Sequence, residues 1–254
     1  MFIDESGRQL RLPKVAISTA LVFFHRFFTL QSFTRHSRFD LAVACIFLAS
    51  KVEESAKKLQ DVITECHSLW NVQEQERTVA PLNPESPEYD ILRLQILKCE
   101  RMLLHTISFD LSVEHPYKYL IDTVKAFDHS GMIQDGLKKE FAQRAVGFLN
   151  DSFRTNLCIQ YPPSKIASAA IYLAAAFLDI VVPASQVSRW DERLNITEEE
   201  LRDISSQMLE VYTAHLLVDL QMEGVRERLV DQGIIGGDAR PAKRGRSSST
   251  AGID

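Results

Sequence analysis

The sequence predicts an all-α fold made of two tandem copies of one helical unit, and three observations carry that prediction. Apolar residues recur at the i, i+3, i+4, i+7 spacing of a helix face along almost the whole chain, while strand-like alternation is nearly absent. Residues 41–48, LAVACIFL, align without a gap on residues 166–173, IASAAIYL, at an offset of 125 positions, with Ala42/Ala167, Ala44/Ala169, Ile46/Ile171 and Leu48/Leu173 identical. The same offset matches Ala20/Ala145, Phe23/Phe148 and Phe28/Phe153 in the segments just upstream. Two segments sharing one shift mark a duplication.

In chain order, the periodicity predicts helices over 13–30, 38–53, 57–70, 87–108, 116–129, 135–157, 163–179, 185–192 and 197–230. Ser37 and Asp40 have the spacing of a capping box ahead of the apolar run from Leu41. Pro116 and Pro163 stand where a first helical position welcomes proline. Thr197 precedes Glu198, Glu199 and Glu200, acids that suit the positive end of a helix dipole. Residues 71–87, with three prolines and many polar side chains, are expected to form a surface loop. These segments divide the chain into a first repeat over 1–110, a second over 111–230 and a disordered tail over 231–254. From Gly236 the tail is too poor in apolar residues to order itself. Its Arg240, Lys243, Arg244 and Arg246 are either an import signal or a merely solvated cluster.

The duplicated helix has a legible role. Ala42, Cys45 and Ala49 lie at i, i+3 and i+7, so one stripe is nearly free of bulk, and Leu41, Ile46 and Leu48 supply apolar mass beside it. Small side chains let neighbouring helix axes approach closely. Such a helix belongs at the centre of its bundle.

Composition narrows the function classes. With 45% hydrophobic and 25% charged residues the chain reads as globular with a sizeable core. No apolar run approaches the roughly 18–20 residues of a membrane span, and no secretory pattern opens the sequence. An intracellular protein without membrane contact is expected. The net charge of −5 argues against direct DNA binding, which asks for a basic face. Cys45, Cys66, Cys99 and Cys158 are scattered with no CxxC pair, so buried free thiols are expected rather than zinc or disulfides. No phosphate-binding glycine loop or HExxH motif appears, so no cofactor, metal or catalytic residue is assigned. His25 reads as a satisfied, half-buried histidine. Glu53 and Glu54 are neighbours on a helix, point ~100° apart and do not converge as a catalytic carboxylate pair.

Four stretches carry a more specific likeness. TALVFFHRFF (19–28), FLASKVEE (47–54), LLHTISFDLSVEHPYKYL (103–120) and FLNDSFRTNLCIQYPPSKIASAAIYLAA (148–175) resemble, in order and at appropriate spacing, the cyclin box of the transcription-type cyclins, above all the T and K types and their fungal relatives. The resemblance runs over about residues 2–222. It implies a cyclin fold of two five-helix repeats, and a non-enzymatic subunit that activates a cyclin-dependent kinase. The kinase implied is a nuclear one, acting on the C-terminal repeats of RNA polymerase II during transcription elongation. Phe2, Ile3, Gly7, Leu10, Leu12 and Pro13 match only the end of the family's first helix, so that helix is expected to be truncated, in a fragment or an incomplete gene model. The substrate-docking patch that cell-cycle cyclins carry on that helix is not visible, nor is a histidine-rich or long polar extension after the second repeat.

By motif, the family's kinase-binding lysine and glutamate map to Lys51, in ASKVEE, and Glu100, in LKCERMLL, with Glu54 and Phe47 beside them. Phe109 is a further candidate for an apolar rim, although both phenylalanines read first as core. At the 125-residue offset Lys51 corresponds to Ala176, so the second copy does without the charge. The plainer reading makes Lys51 a solvated helix end and Glu100 half of a surface ion pair. Two rivals share the fold: a general transcription factor of the IIB kind, which would bring zinc-binding cysteine pairs and basic helices, and a cyclin-fold scaffold without a kinase.

Overall fold

The computed structural model describes residues 2–75, 82–129, 131, 133–180, 194–214 and 230. They form ten helices and, among the described residues, no strand. The first repeat contains α1 (Phe2–Gln9), α2 (Lys14–Leu30), α3 (Arg38–Val52), α4 (Leu59–Gln75) and α5 (Pro87–Thr106). The second contains α6 (Pro116–His129), α7 (Lys138–Ser152), the short α8 (Leu157–Gln160), α9 (Pro163–Phe177) and α10 (Glu198–Ala214). The expected all-α fold of two helical repeats is what the chain adopts, and α1 runs over the eight residues Phe2–Gln9. The segment 185–192, the part of 197–230 beyond Ala214 except Val230, and the tail lie outside the described residues.

The duplication is exact in the two central helices. Both ends of α9 lie 125 positions beyond those of α3, and the nine buried positions of α3 map one for one onto the nine of α9. The single gap inside each buried run holds an aromatic ring, Phe47 in α3 and Tyr172 in α9. Helices α1, α2, α4 and α5 pack around α3; α6, α7, α8 and α10 pack around α9. The alanine stripe explains the arrangement, because Ala42, Cys45 and Ala49 are buried and leave room for close neighbours.

Local chemistry fixes the ends. The Ser37 hydroxyl accepts the Asp40 amide at 3.2 Å, and Thr197 and Glu200 exchange backbone-to-side-chain bonds at 3.1 and 3.3 Å in a complete capping box. All four cysteines are free. Burial pushes the Cys66 and Cys158 thiols up to about 12 and Cys99 up to about 11, although Cys99 and Cys158 are only part-buried, not core residues as expected.

Two expected boundaries are corrected. The loop predicted from 71 is helical to Gln75, because Asn71 is buried and its amide meets the His67 ring at 3.2 Å; at the loop's far side Leu82 is buried in the first core. The helix predicted over 135–157 stops at Ser152. The Ser152 and Thr155 hydroxyls donate to the carbonyls of Leu149 and Ser152, at 2.7 and 2.6 Å, and such back-bonding competes with helix continuation. The break lets Phe153 leave its own repeat and bury itself in the core of the first.

That crossing is part of a polar seam along one face of α2. The Ser18 hydroxyl meets the Tyr117 hydroxyl at 3.0 Å, and Tyr117 donates to Asn150 at 2.8 Å. His25 donates from Nε2 to the Phe153 carbonyl at 3.0 Å, which bears out a satisfied, half-buried histidine. Arg26 donates to the carbonyls of Asp110 and Ser112 at 3.1 and 3.2 Å. Buried polar groups without partners are costly, so the part-buried Ser18–Tyr117 and His25–Phe153 bonds favour one relative placement of the repeats where apolar contact alone would tolerate several.

Two expectations follow. A Cβ on Gly7 would lie 2.6 Å from Cγ1 of Ile17, a buried, β-branched residue with little room to turn. Gly7→Ala should therefore lower stability by about 1–3 kcal/mol, read by thermal or urea unfolding. Burial holds the pKa values of His25 and His115 below the ordinary 6.5. The unfolded chain then binds more protons in that window, so their contribution is complete above 6.5 and is lost as pH falls through the lowered values. The thermal midpoint should drop as pH falls below 6.5, and less steeply in His25→Gln.

Candidate functional site

Glu100 is the anomaly from which the site is built. It lies on α5 between Ile96 and Leu103, both fully buried, and is itself only 8% exposed. A carboxylate on a core-facing stripe needs a partner. Helix α5 delivers it there by a start at Ser86, whose hydroxyl accepts the Tyr89 amide at 3.2 Å, with Pro87 in the first turn. Sequence reasoning passed over this cap, although the Ser-Pro pair after a polar stretch was a visible signal.

The partner is Lys51. Its ammonium forms an ion pair and hydrogen bond with Glu100 Oε1, and sits 4.1 Å from the centre of the Phe47 ring one turn back on α3. Phe47 is part-buried against the first core, as a platform would be. The Lys51 side chain keeps 42% of its exposure, so the pair is sealed on the core side and open outward. Lys51 lies in the last turn of α3, where the helix dipole favours a cation. That turn closes with the Glu53 amide on the Ala49 carbonyl at 3.0 Å and the Ser55 amide on the Ser50 carbonyl at 2.8 Å.

Three of the four expected site residues thus meet. Glu54 does not join them: it is exposed on the turn beyond α3, in left-handed backbone at φ 52°, its amide on the Lys51 carbonyl at 3.3 Å. Phe109 is corrected as well. It is 59% exposed rather than core, because the chain leaves α5 through left-handed residues at Ser108 and Phe109 and turns the ring outward, edge-on to His105 at 5.4 Å. What the sequence did not offer is the bracing behind the turn, where Thr19 donates to Glu53 at 2.7 Å and meets His115 at 2.8 Å.

An ammonium has three donors and a carboxylate about four acceptor positions, so the pair retains capacity for a further chain's backbone after satisfying itself. Among the described residues no cluster of three or more His, Cys, Asp or Glu could hold a metal ion, and no helix is long and apolar enough to cross a membrane. A groove of about 290 Å³ between the repeats is lined by Arg26, Leu30, Ile107, Asp110 and Ile159. Its one cation is already spent on the Asp110 and Ser112 carbonyls. The Lys51–Glu100 pair, sealed on the core side and open outward, is the candidate site.

Comparison with known proteins gives the family. The N-terminal cyclin domain matches residues 1–112 and the C-terminal cyclin domain residues 115–223. Cyclin-T1-4 of Arabidopsis thaliana is 39% identical over 211 residues, 83% of this chain but only 37% of that protein, so the chain spans well under half of that relative. Putative cyclin-T1-1 of the same plant is 36% identical over 85% of this chain and 82% of its own length. Among solved structures, a chain of the yeast RNA Pol II CTD kinase CTDK-1 complex superposes with a TM-score of 0.68 at 20% identity, covering 91% of this chain and 73% of that one, a likeness of fold. With a tandem domain match over most of its length and T-type relatives at this identity, the chain belongs to the cyclin family, among its transcription-type members.

Proposed function

We propose that the chain is a regulatory, non-catalytic cyclin subunit. In this reading it binds and activates a cyclin-dependent kinase that phosphorylates the C-terminal domain of RNA polymerase II, in the nucleus and in support of elongation, without touching DNA. The observation that carries the reading is the Lys51–Glu100 pair, kept in one repeat only. At the equivalent position of α9 the second repeat has Ala176, so the fold closes a central helix without this charge. A cation and a buried anion retained where the fold does not need them are best explained by a partner. The likeness to a cyclin-fold chain of a CTD kinase complex supports the class of that partner.

The mechanism follows from what a kinase lacks. Phosphoryl transfer requires the kinase's own lysine–glutamate ion pair, which depends on the position of its mobile C-helix. A surface that binds the inward C-helix state more tightly shifts the population toward it. Lys51 and Glu100 would bond the backbone entering that helix, with Phe47 shielding the contact from water and the exposed Phe109 ring available at the far end of α5. No chemistry is asked of this chain.

Lys51→Ala with Glu100→Ala removes both charges together and so leaves no unpaired carboxylate in the core. The double variant should stay folded by circular dichroism. It should capture and activate its kinase at least tenfold more weakly, given the roughly 2–5 kcal/mol that losing a buried, hydrogen-bonded charge costs an interface. Pull-down from source-cell nuclear extract with mass spectrometry, followed by kinase assay, measures both. Normal activation by the double variant would remove the site. The chain alone should show no ATP hydrolysis or phosphotransfer; turnover that survives removal of all kinase would overturn the regulatory assignment.

A further inference from the structure

The kinase-facing lysine sits in a helical turn that is itself tied to the other repeat. Glu53 caps α3 two residues beyond Lys51, and its carboxylate points back into the molecule. Thr19, on α2 and fully buried, donates its hydroxyl to Glu53 Oε1 at 2.7 Å. The same hydroxyl oxygen lies 2.8 Å from Nε2 of His115, the residue immediately before α6. A hydroxyl has one proton, and here it is committed to the carboxylate; His115 must therefore donate from Nε2. The chain of bonds runs from the second repeat through His115 and Thr19 to the end of α3.

We propose that His115 and Thr19 are positioning residues for Lys51: through Glu53 they let the second repeat hold the last turn of α3, and so present the lysine to its partner already in place. The inference rests on the kinase-binding reading above. Helix ends fray, and the last carbonyls of α3 are held by only a few bonds. The pair with Glu100 fixes the tip of the Lys51 side chain; the Glu53 anchor fixes the backbone from which it springs. Nδ1 of His115 is buried and has no hydrogen-bond partner, which fits a neutral ring with its proton on Nε2. The charged and titratable groups around the ring are Glu53, with Oε1 3.9 Å from Nε2, and Tyr117, whose ring centre is 6.3 Å away; Asp4, which acts on Tyr117, is held by Lys14 at 2.7 Å.

The test uses the full chain and compares Thr19→Val and His115→Gln with Thr19→Ser, which keeps the hydroxyl. Amide hydrogen exchange at Glu53, Glu54 and Ser55 should quicken by about tenfold in Thr19→Val, the effect of one lost charge-assisted bond, and recover in Thr19→Ser. Amides of α9 should not change. Capture of the kinase that co-purifies with the wild-type chain should weaken in step. Unchanged exchange at 53–55 overturns the proposal, as does a uniform rise that includes α9, which would mark a purely structural role. Faster exchange with undiminished capture also overturns it, and Lys51→Ala then shows which idea has failed. If Lys51→Ala abolishes capture, only the positioning role falls; if it too has no effect, the kinase-binding reading falls with it.

Discussion

The structure depends on a helix that is buried on nearly every side and must nevertheless end in solvent. In α3, positions 41–46 and 48–50 are all buried, and small side chains at Ala42, Cys45 and Ala49 let its neighbours close in. Such a helix has little freedom to slide, since interiors pack at near-crystalline density and a shift along the axis would drive side chains into one another. Its middle therefore sets the register in which its last turn begins. The core places Lys51, and the site is where it is because the alanines are where they are.

The second repeat shows what the same constraint yields without the lysine. Its α9 has the same length and the same burial pattern, with Tyr172 where α3 has Phe47, and reaches Ala176 where α3 has Lys51. The two helices differ along their whole length, Val43 against Ser168 and Cys45 against Ala170 among the buried positions, but the charge of Lys51 stands at an end, where it leaves core packing undisturbed. The two halves are not interchangeable in another respect. Phe153 from the second repeat is buried in the first core, and α2 carries the polar contacts that receive it. One repeat presents the pair, and the other completes the bundle that presents it.

Much of this was legible in the residues, for physical reasons that differ by element. The central helices announced themselves because burial on all sides demands uninterrupted apolar character, and duplication supplied an internal control. The Lys51–Glu100 pair came from a motif likeness, not from periodicity; what the geometry adds is that the two side chains meet. The polar seam was not legible. Ser18, Thr19, His25 and Arg26 look like ordinary polar positions on an apolar helix, and their partners Tyr117, His115, Phe153 and Asp110 lie 84–128 residues away. The break after Ser152 was hidden for a related reason: Phe153 continues a helical pattern, and its burial in the other repeat adds to the back-bonding of Ser152 and Thr155 in ending the helix. The outward turn of Phe109 depends on two left-handed residues that neither glycine nor asparagine announces.

A pre-paired site has a thermodynamic logic that a lone exposed lysine would lack. Ordering a lysine side chain costs up to about 1.5–2 kcal/mol of rotamer freedom, which a binding partner would otherwise have to overcome. Here Glu100 and the Phe47 ring have already restricted Lys51, so part of that cost is met during folding. The carboxylate gains as well, because a nearly buried Glu100 without its cation would be a desolvated charge with nothing to offset it. Each charge offsets the desolvation of the other. Partial exposure of the lysine is then not a defect of packing; under the proposed function it is the side of the pair a third group would enter.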